Sequence, residues 1–224
     1  MPRPRRLQKI LTQLAEEQGA IDDGPPRDPW HAILWENVVY LTDEARRRKA
    51  FAQLRSATGL DAAIIAAAPD EVLLPICGKG KLAGQQVAKL RECAELFAST
   101  GDPRELVKLP EAKARKGLCA FPGIGLPGFH RLRLFARVEP CATFESNGVR
   151  SLARLHFGEE QKDYAATYRA VTAVAAEELT EDVDVRIDAW LRLRRHGQQT
   201  CRRQPLCDAC PVANHCAARR GDMH

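Results

Sequence analysis

Four cysteines near the C-terminal end of the chain have the type and spacing of a metal-binding group. They follow the pattern C-x5-C-x2-C-x5-C and are Cys201, Cys207, Cys210 and Cys216. Exposed thiolates oxidise readily, so four unliganded surface thiols are a poor explanation. Structural zinc sites usually contain two close cysteine pairs, and this sequence has only one. The spacing therefore favours a [4Fe–4S] cluster held by the four thiolates, with zinc as the alternative.

The remaining cysteines and the lack of export signals indicate a chain that folds in a reducing compartment. Core packing explains the four single cysteines in apolar or helix-edge contexts, which are Cys77, Cys93, Cys119 and Cys141. No signal-peptide pattern follows Met1, and no run of about 18 apolar residues could span a membrane. We therefore expect a cytoplasmic, nucleoid-associated protein without a membrane partner.

Positive charge is concentrated towards the C-terminal end. The chain has a net charge of +5, and the stretch 186–220 contains eight arginines and two aspartates. Arginine binds phosphate through paired N–H groups, so this stretch suits a phosphate-binding surface and a polyanionic partner. A solvated charged surface is the alternative explanation.

A short turn with two glycines separates two predicted helices in the middle of the chain. The turn consists of Phe121, Pro122, Gly123, Ile124 and Gly125. Glycine permits positive φ and close backbone approach, so the amides of this turn and of the next helix can point at one phosphate. Ile124 would anchor the turn in the core. The pattern predicts a helix-hairpin-helix; an ordinary turn between helices is the alternative.

Helical spacing of apolar residues recurs along the chain, whereas alternating strand patterns are scarce. The sequence therefore predicts an all-α fold of short helices with short connections. The predicted helices are 5–18, 29–41, 43–57, 60–67, 69–76, 81–99, 111–120, 127–137, 147–156, 162–178 and 183–197.

Taken together, the glycine turn, the segment 140–154 and the pair His196-Gly197 before the cysteines resemble the helix-hairpin-helix DNA glycosylases, and endonuclease III in particular. The resemblance covers about residues 29–216. The family has six residues between its first two cluster cysteines and this chain has five, so the first loop is tighter while four ligands remain.

The resemblance implies a two-lobed helix-hairpin-helix glycosylase fold. A six-helix barrel lobe would span 29–137, with the hairpin at about 111–137. Residues 1–28 and 138–224 would form the other lobe, with the iron–sulfur cluster loop at 201–216. The implied partner is double-stranded DNA that contains a damaged or mismatched base, which a monomeric protein flips out of the duplex.

Two positions that carry the family's chemistry differ in this chain. Bifunctional members have a lysine at the second residue after the glycine turn, where it forms a Schiff base with the sugar; here that residue is Pro127. The family's catalytic aspartate falls on Glu145, and a carboxylate there can orient water and stabilise the charged sugar as the base departs. Alternatively, Glu145 only favours the start of a helix capped by Ser146 and Asn147.

A third expected contact lies near the start of the predicted barrel. Members of the family often place a polar side chain in the gap left by the flipped base, and the matching segment here is 37–43. Tyr40 in this segment could stack on bases, or it could be a core aromatic. The expected DNA contacts are thus Tyr40 and the turn residues Pro122, Gly123, Ile124 and Gly125.

These features predict a DNA repair enzyme of base excision, namely a monofunctional DNA glycosylase that hydrolyses an N-glycosidic bond with Glu145 and water. Two alternatives stay open: a non-catalytic relative that binds distorted or abasic DNA, and a DNA-(apurinic or apyrimidinic site) lyase that uses another amine. Glu145 favours the enzyme over a pure binder. Pro127 counts against the lyase.

Overall fold

The computed structural model describes residues 5–21, 24–216 and 219. Within this part of the chain the regular structure is helical and contains no strand, which confirms the all-α prediction. The α-helices are α1 (Arg6–Gln18), α2 (Pro29–Asn37), α3 (Glu44–Thr58), α4 (Ala62–Ala67), α5 (Asp70–Cys77), α6 (Ala83–Thr100), α7 (Pro103–Leu106), α8 (Glu111–Leu118), α9 (Leu126–Phe135), α10 (Ser146–Arg154), α11 (Tyr164–Glu178) and α12 (Val183–Gln199). No helix in the described ranges is long and apolar enough to cross a membrane.

Two elements differ from the sequence-based prediction. Helix α7 was not predicted, because its Gly-Asp-Pro start is a typical helix breaker; Asp102 instead caps it by accepting a hydrogen bond from Arg104 N at 2.8 Å. Helix α2 ends at Asn37 rather than at residue 41. Leu41 has a φ of 46°, which is incompatible with a continuing right-handed helix.

Short acidic side chains explain where most of the helices begin. Aspartates accept backbone N–H bonds at the N-caps of α2, α3, α4, α7, α11 and α12. Among the described helices, α10 alone is capped by a glutamate side chain, that of Glu145. This cap explains why α10 starts at Ser146.

Packing divides the chain into two compact units. The first comprises residues 1–24 and 139–224, and the second comprises residues 25–138. In the first unit, α10 packs on α12 and α11, and α1 packs on the same two helices. The second unit has one continuous apolar core to which α2, α3, α5, α6 and α9 contribute, and it contains Cys77 and Cys93. Burial raises the pKa of each of these two thiols to about 12, as expected for cysteines that pack in a core.

Candidate functional site

The four clustered cysteines line one cavity of about 210 Å³ in the first unit. After α12 the chain turns back, with Leu206 N donating to Thr200 O at 2.9 Å, and two single-turn 3-10 helices, Cys207–Ala209 and Ala213–His215, carry it around the cavity. Burial raises the pKa of Cys210, and the three neighbouring cysteine thiols raise it further. Without a positive charge between them, several ionised cysteine thiols this close together would repel one another, which is unfavourable.

The cavity lined by the four cysteines is large enough for a group of several atoms. No trio of His, Cys, Asp or Glu among the described residues is placed to hold one metal ion. A cavity of roughly 10–15 Å³ already holds a water molecule, so about 210 Å³ accommodates a much larger group. Four thiolates around such a space are the ligand set of an iron–sulfur cluster.

Arginines from other helices hold the loop that carries the cysteines. Arg154 Nη1 lies 3.5 Å from Cys201 Sγ and donates to Arg202 O at 2.7 Å. From α1, Arg6 donates to His215 O at 3.1 Å, and its guanidinium lies 4.6 Å from the centroid of the Phe157 ring. These contacts fix the loop backbone, and Arg154 places positive charge beside the sulfur of Cys201.

Glu145 lies at the start of α10 with its carboxylate turned into the helix N-terminus. Its Oε1 accepts hydrogen bonds from Asn147 N and Gly148 N, both at 3.1 Å. Burial raises the pKa of Glu145, while these bonds and the positive charge of Arg194 act in the opposite direction. The carboxylate itself thus caps the helix, whereas the structural interpretation of the sequence had placed the cap at Ser146 and Asn147. Capping also orients a carboxylate for chemistry, so the two interpretations are compatible.

A chain of hydrogen bonds runs from the cysteine loop to this carboxylate. Arg150 Nε donates to Cys201 O at 3.1 Å, Arg150 Nη2 donates to Asn147 Oδ1 at 2.8 Å, and Asn147 Nδ2 donates to Glu145 Oε2 at 2.8 Å. Arg150 Nη2 also donates to Gly197 O at 2.8 Å. A Cβ at Gly197 would lie 2.4 Å from Asn147 O, so the close approach of α12 and α10 requires glycine there.

The glycine turn lies in the second unit between α8 and α9. Ile124 is buried and anchors it, and Gly123 has a φ of 74°. From α2, Asn37 Nδ2 donates a hydrogen bond to Pro122 O at 2.8 Å and so holds the backbone of the turn in place. Within the described ranges, no group accepts a hydrogen bond from the backbone N–H of Gly123 or Gly125. Unpaired amides next to the N-terminus of α9 can bind an anion such as phosphate.

Pro127 occupies the first turn of α9, where a missing N–H is tolerated. It has no side-chain amine. A Schiff base at this position, as in the bifunctional members of the resembled family, is therefore chemically impossible for this chain.

An apolar tip, formed by Tyr40, Leu41 and Leu82, projects from the second unit. Tyr40 is 44% exposed, which excludes the core interpretation of this residue. Lys81 N donates to Tyr40 O at 2.8 Å, and a Cβ at Gly80 would lie 2.4 Å from that same oxygen. Leu41 and Leu82 are exposed, and both have positive φ, at 46° and 58°. Sequence reasoning missed both leucines, because an exposed leucine gives no periodic signal; a left-handed backbone at such a residue marks a functional candidate.

The arginine-rich stretch is only partly a free surface. Arg186 is buried and donates to backbone carbonyl groups, and Arg192 pairs with an aspartate of its own helix at 2.7 Å. Arg202 and Arg203, in the first loop of the cysteine cluster, are exposed. Arg220 lies outside the described residues. The part of this stretch that is open to phosphate is therefore centred on the cysteine loop.

Solved structures of similar fold were found, whereas no protein-family model and no curated protein matches the chain. A thermostable thymine-DNA glycosylase has 18% sequence identity and a TM-score of 0.73, over 96% of this chain and 95% of its own. A trapped endonuclease III–DNA covalent intermediate has 19% identity and a TM-score of 0.74, over 97% and 99%. A non-covalent endonuclease III–DNA complex has 17% identity and a TM-score of 0.72, over 97% of both chains. The chain therefore has the endonuclease III fold of the helix-hairpin-helix DNA glycosylases, as its sequence motifs predicted.

Proposed function

We propose that this protein is a DNA glycosylase of base-excision repair that removes a damaged or mismatched base with Glu145 and water and leaves the DNA strand intact. The observation that carries the proposal is the placement of Glu145, whose carboxylate is half-buried, oriented by three hydrogen bonds and balanced by the positive charge of Arg194. The similarity in fold to a thymine-DNA glycosylase and to endonuclease III bound to DNA supports it.

The chemistry assigns two tasks to the ionised carboxylate of Glu145. As the bond between the base and C1′ breaks, the base leaves with the bonding electron pair and positive charge develops on the sugar. The carboxylate stabilises that charge. It then accepts a proton from the water whose oxygen bonds to C1′. No amine takes part, which agrees with Pro127 at the first turn of α9.

DNA would be held mainly through its backbone and through the apolar tip. The unpaired amides of Gly123 and Gly125 would bind a phosphate at the N-terminus of α9. Tyr40, Leu41 and Leu82 would enter the base stack where the target nucleotide has left, because apolar side chains inserted between bases stabilise an opened duplex. Exposed Arg202 and Arg203 would add contacts to phosphate.

Cys201, Cys207, Cys210 and Cys216 would hold a [4Fe–4S] cluster. When bound, the cluster cross-links the loop 201–216 and so stabilises the local fold. The arginines beside it keep the loop backbone in place, and Arg150 continues this support to the residues around Glu145. The lobe that contains the cluster would then also position the catalytic carboxylate.

A non-catalytic DNA-binding protein is the second candidate, because capping of α10 alone would explain the contacts of Glu145. Duplexes that each carry one lesion distinguish the candidates. A monofunctional glycosylase leaves abasic sites that break only after treatment with alkali. A lyase nicks the strand directly and is trapped on abasic DNA by borohydride, and a pure binder shifts the duplex without changing it.

A further inference from the structure

Helix α6 begins at the apolar tip of the second unit with backbone N–H groups that have no partner. Its N-cap residue is Leu82, whose apolar side chain cannot accept a hydrogen bond from the helix. Gln86 N donates to Leu82 O at 3.1 Å, but within the described ranges no group accepts a hydrogen bond from the backbone N–H of residues 83, 84 or 85. These N–H groups give the N-terminus of an 18-residue helix a partial positive charge.

The side chain of Gln86 provides a second, independent observation at the same place. Gln86 is only 2% exposed, yet its carboxamide makes no hydrogen bond within the described part of the chain. Neither the oxygen nor the nitrogen of this carboxamide is fully enclosed, so a ligand can reach it from solvent. Long side chains in a helix lie over the turn that precedes their own Cα, so the carboxamide lies over the unpaired first turn of α6. An almost buried polar group without a partner is unfavourable, and a bound ligand would complete its hydrogen bonds.

The space in front of this first turn is open and positively charged. A Cβ at Gly84 would meet no atom within 4 Å, so a ligand can approach the backbone closely there. Lys81 is exposed, and the stretch 72–91 contains four basic residues and no acidic one. Unpaired N–H donors, a helix N-terminus and positive charge together suit an anion.

Hydrogen bonds hold the start of α6 beside the rest of the tip. Thr42 Oγ1 donates to Lys79 O at 3.0 Å, and Lys81 N donates to Tyr40 O at 2.8 Å. If the tip enters a base stack, the anion that comes next to it is a phosphate of the DNA backbone.

We propose that the N-terminus of α6 is a second phosphate-binding site, in which the N–H groups of residues 83–85, the carboxamide of Gln86 and the ammonium group of Lys81 bind one phosphodiester of the DNA. Gln86 would donate through its Nε2–H. This inference rests on the DNA binding of the proposed function and does not depend on base release. Absence of base release by the parent protein, measured separately, would refute the glycosylase function without changing the affinities that test this site.

The test measures the affinity of the full-length protein for a duplex that contains a tetrahydrofuran abasic-site analogue. In further duplexes a neutral methylphosphonate replaces one phosphate at a time, in either strand. The variants are Gln86→Leu, which removes the carboxamide at similar size, and Gly84→Val, which fills the open space in front of the backbone. Gln53→Leu is the matched control, because Gln53 is exposed on α3. Circular dichroism verifies that each variant is folded.

Gln86→Leu should bind the unmodified duplex about 10-fold or more weakly, because a hydrogen bond to a charged group contributes about that factor. At one methylphosphonate position the parent should lose a similar factor, whereas Gln86→Leu should lose less than about twofold, since the contact is already absent. Gly84→Val should show the same pattern, and Gln53→Leu should bind as the parent does. Gln86→Leu should also unfold at the same temperature as the parent or higher, because it removes an unpaired polar group.

Two results would overturn the site. One is an affinity of Gln86→Leu equal to that of the parent. The other is a weakened variant that remains as sensitive as the parent to every methylphosphonate, because its loss would then come from somewhere other than a phosphate contact. If Gln86→Leu does not fold, the same comparison with Gly84→Val decides.

Discussion

Replacement of Arg150 by methionine should destabilise the first unit strongly, because this one side chain connects α10, α12 and the cysteine loop. Its guanidinium donates to Cys201 O, Gly197 O and Asn147 Oδ1 at 2.8–3.1 Å. Hydrogen bonds from a charged donor contribute about 1.5–3 kcal/mol each. Because Arg150 is only half-buried and water can replace part of these bonds, we expect a total loss of roughly 3–5 kcal/mol.

Thermal unfolding followed by far-ultraviolet circular dichroism measures this effect. For a chain of this size, such a loss lowers the Tm by roughly 6–20 °C. Arg169→Met is the matched control, because Arg169 is exposed on α11 and a substitution at an exposed site changes stability by about 0.5 kcal/mol or less. If the free energy of unfolding of Arg150→Met lies within about 1 kcal/mol of that of the parent protein, the hydrogen-bond chain from the cysteine loop to Glu145 does not contribute as expected and the reasoning is wrong.

Three further outcomes follow from the site. Cys207→Ala should lose the broad visible absorbance of the cluster together with solubility, whereas Cys119→Ala should stay coloured; a colourless parent protein with stoichiometric zinc would contradict this. Gly125→Val should fold, because its Cβ would meet only Pro127 Cδ at 3.9 Å, yet it should bind duplex DNA more weakly; unchanged binding would refute the hairpin assignment. Folding raises the pKa of Glu145, so its ionised form reduces stability as the pH rises through that pKa. The Tm of Glu145→Gln relative to the parent should therefore increase as the pH rises above the ordinary glutamate pKa, and a constant difference would show that the carboxylate is not perturbed.

Local patterns in the sequence were sufficient to predict the helical fold and the place of the glycine turn. Apolar periodicity depends on neighbouring residues only, and a buried Ile124 between two glycines follows from steric limits on the backbone. The four cysteines line one cavity, while their role as ligands of a cluster stays a prediction.

Long-range contacts could not be predicted in this way. The bonds of Arg150 and Arg154 to the cysteine loop join residues about fifty positions apart, and no spacing rule connects them. The arginine-rich stretch looked like one phosphate-binding surface, but Arg186 is buried and donates to carbonyl groups of its own unit. The sequence also did not decide whether Tyr40 is buried or exposed, since an aromatic residue after an apolar helix fits a core as well as a surface.

Release of free base by the parent protein and by Glu145→Gln tests the central claim most directly. Both proteins are incubated with the single-lesion duplex that the parent binds most tightly, and the released base is measured by mass spectrometry while duplex affinity is measured in parallel. We predict that the parent releases the base and leaves a strand that breaks only after alkali. Glu145→Gln should bind the duplex within a few-fold of the parent affinity. Its rate of base release should be lower by about 100-fold or more, because the loss of a catalytic acid–base group has effects of this size. Base release by Glu145→Gln at the rate of the parent would contradict the account.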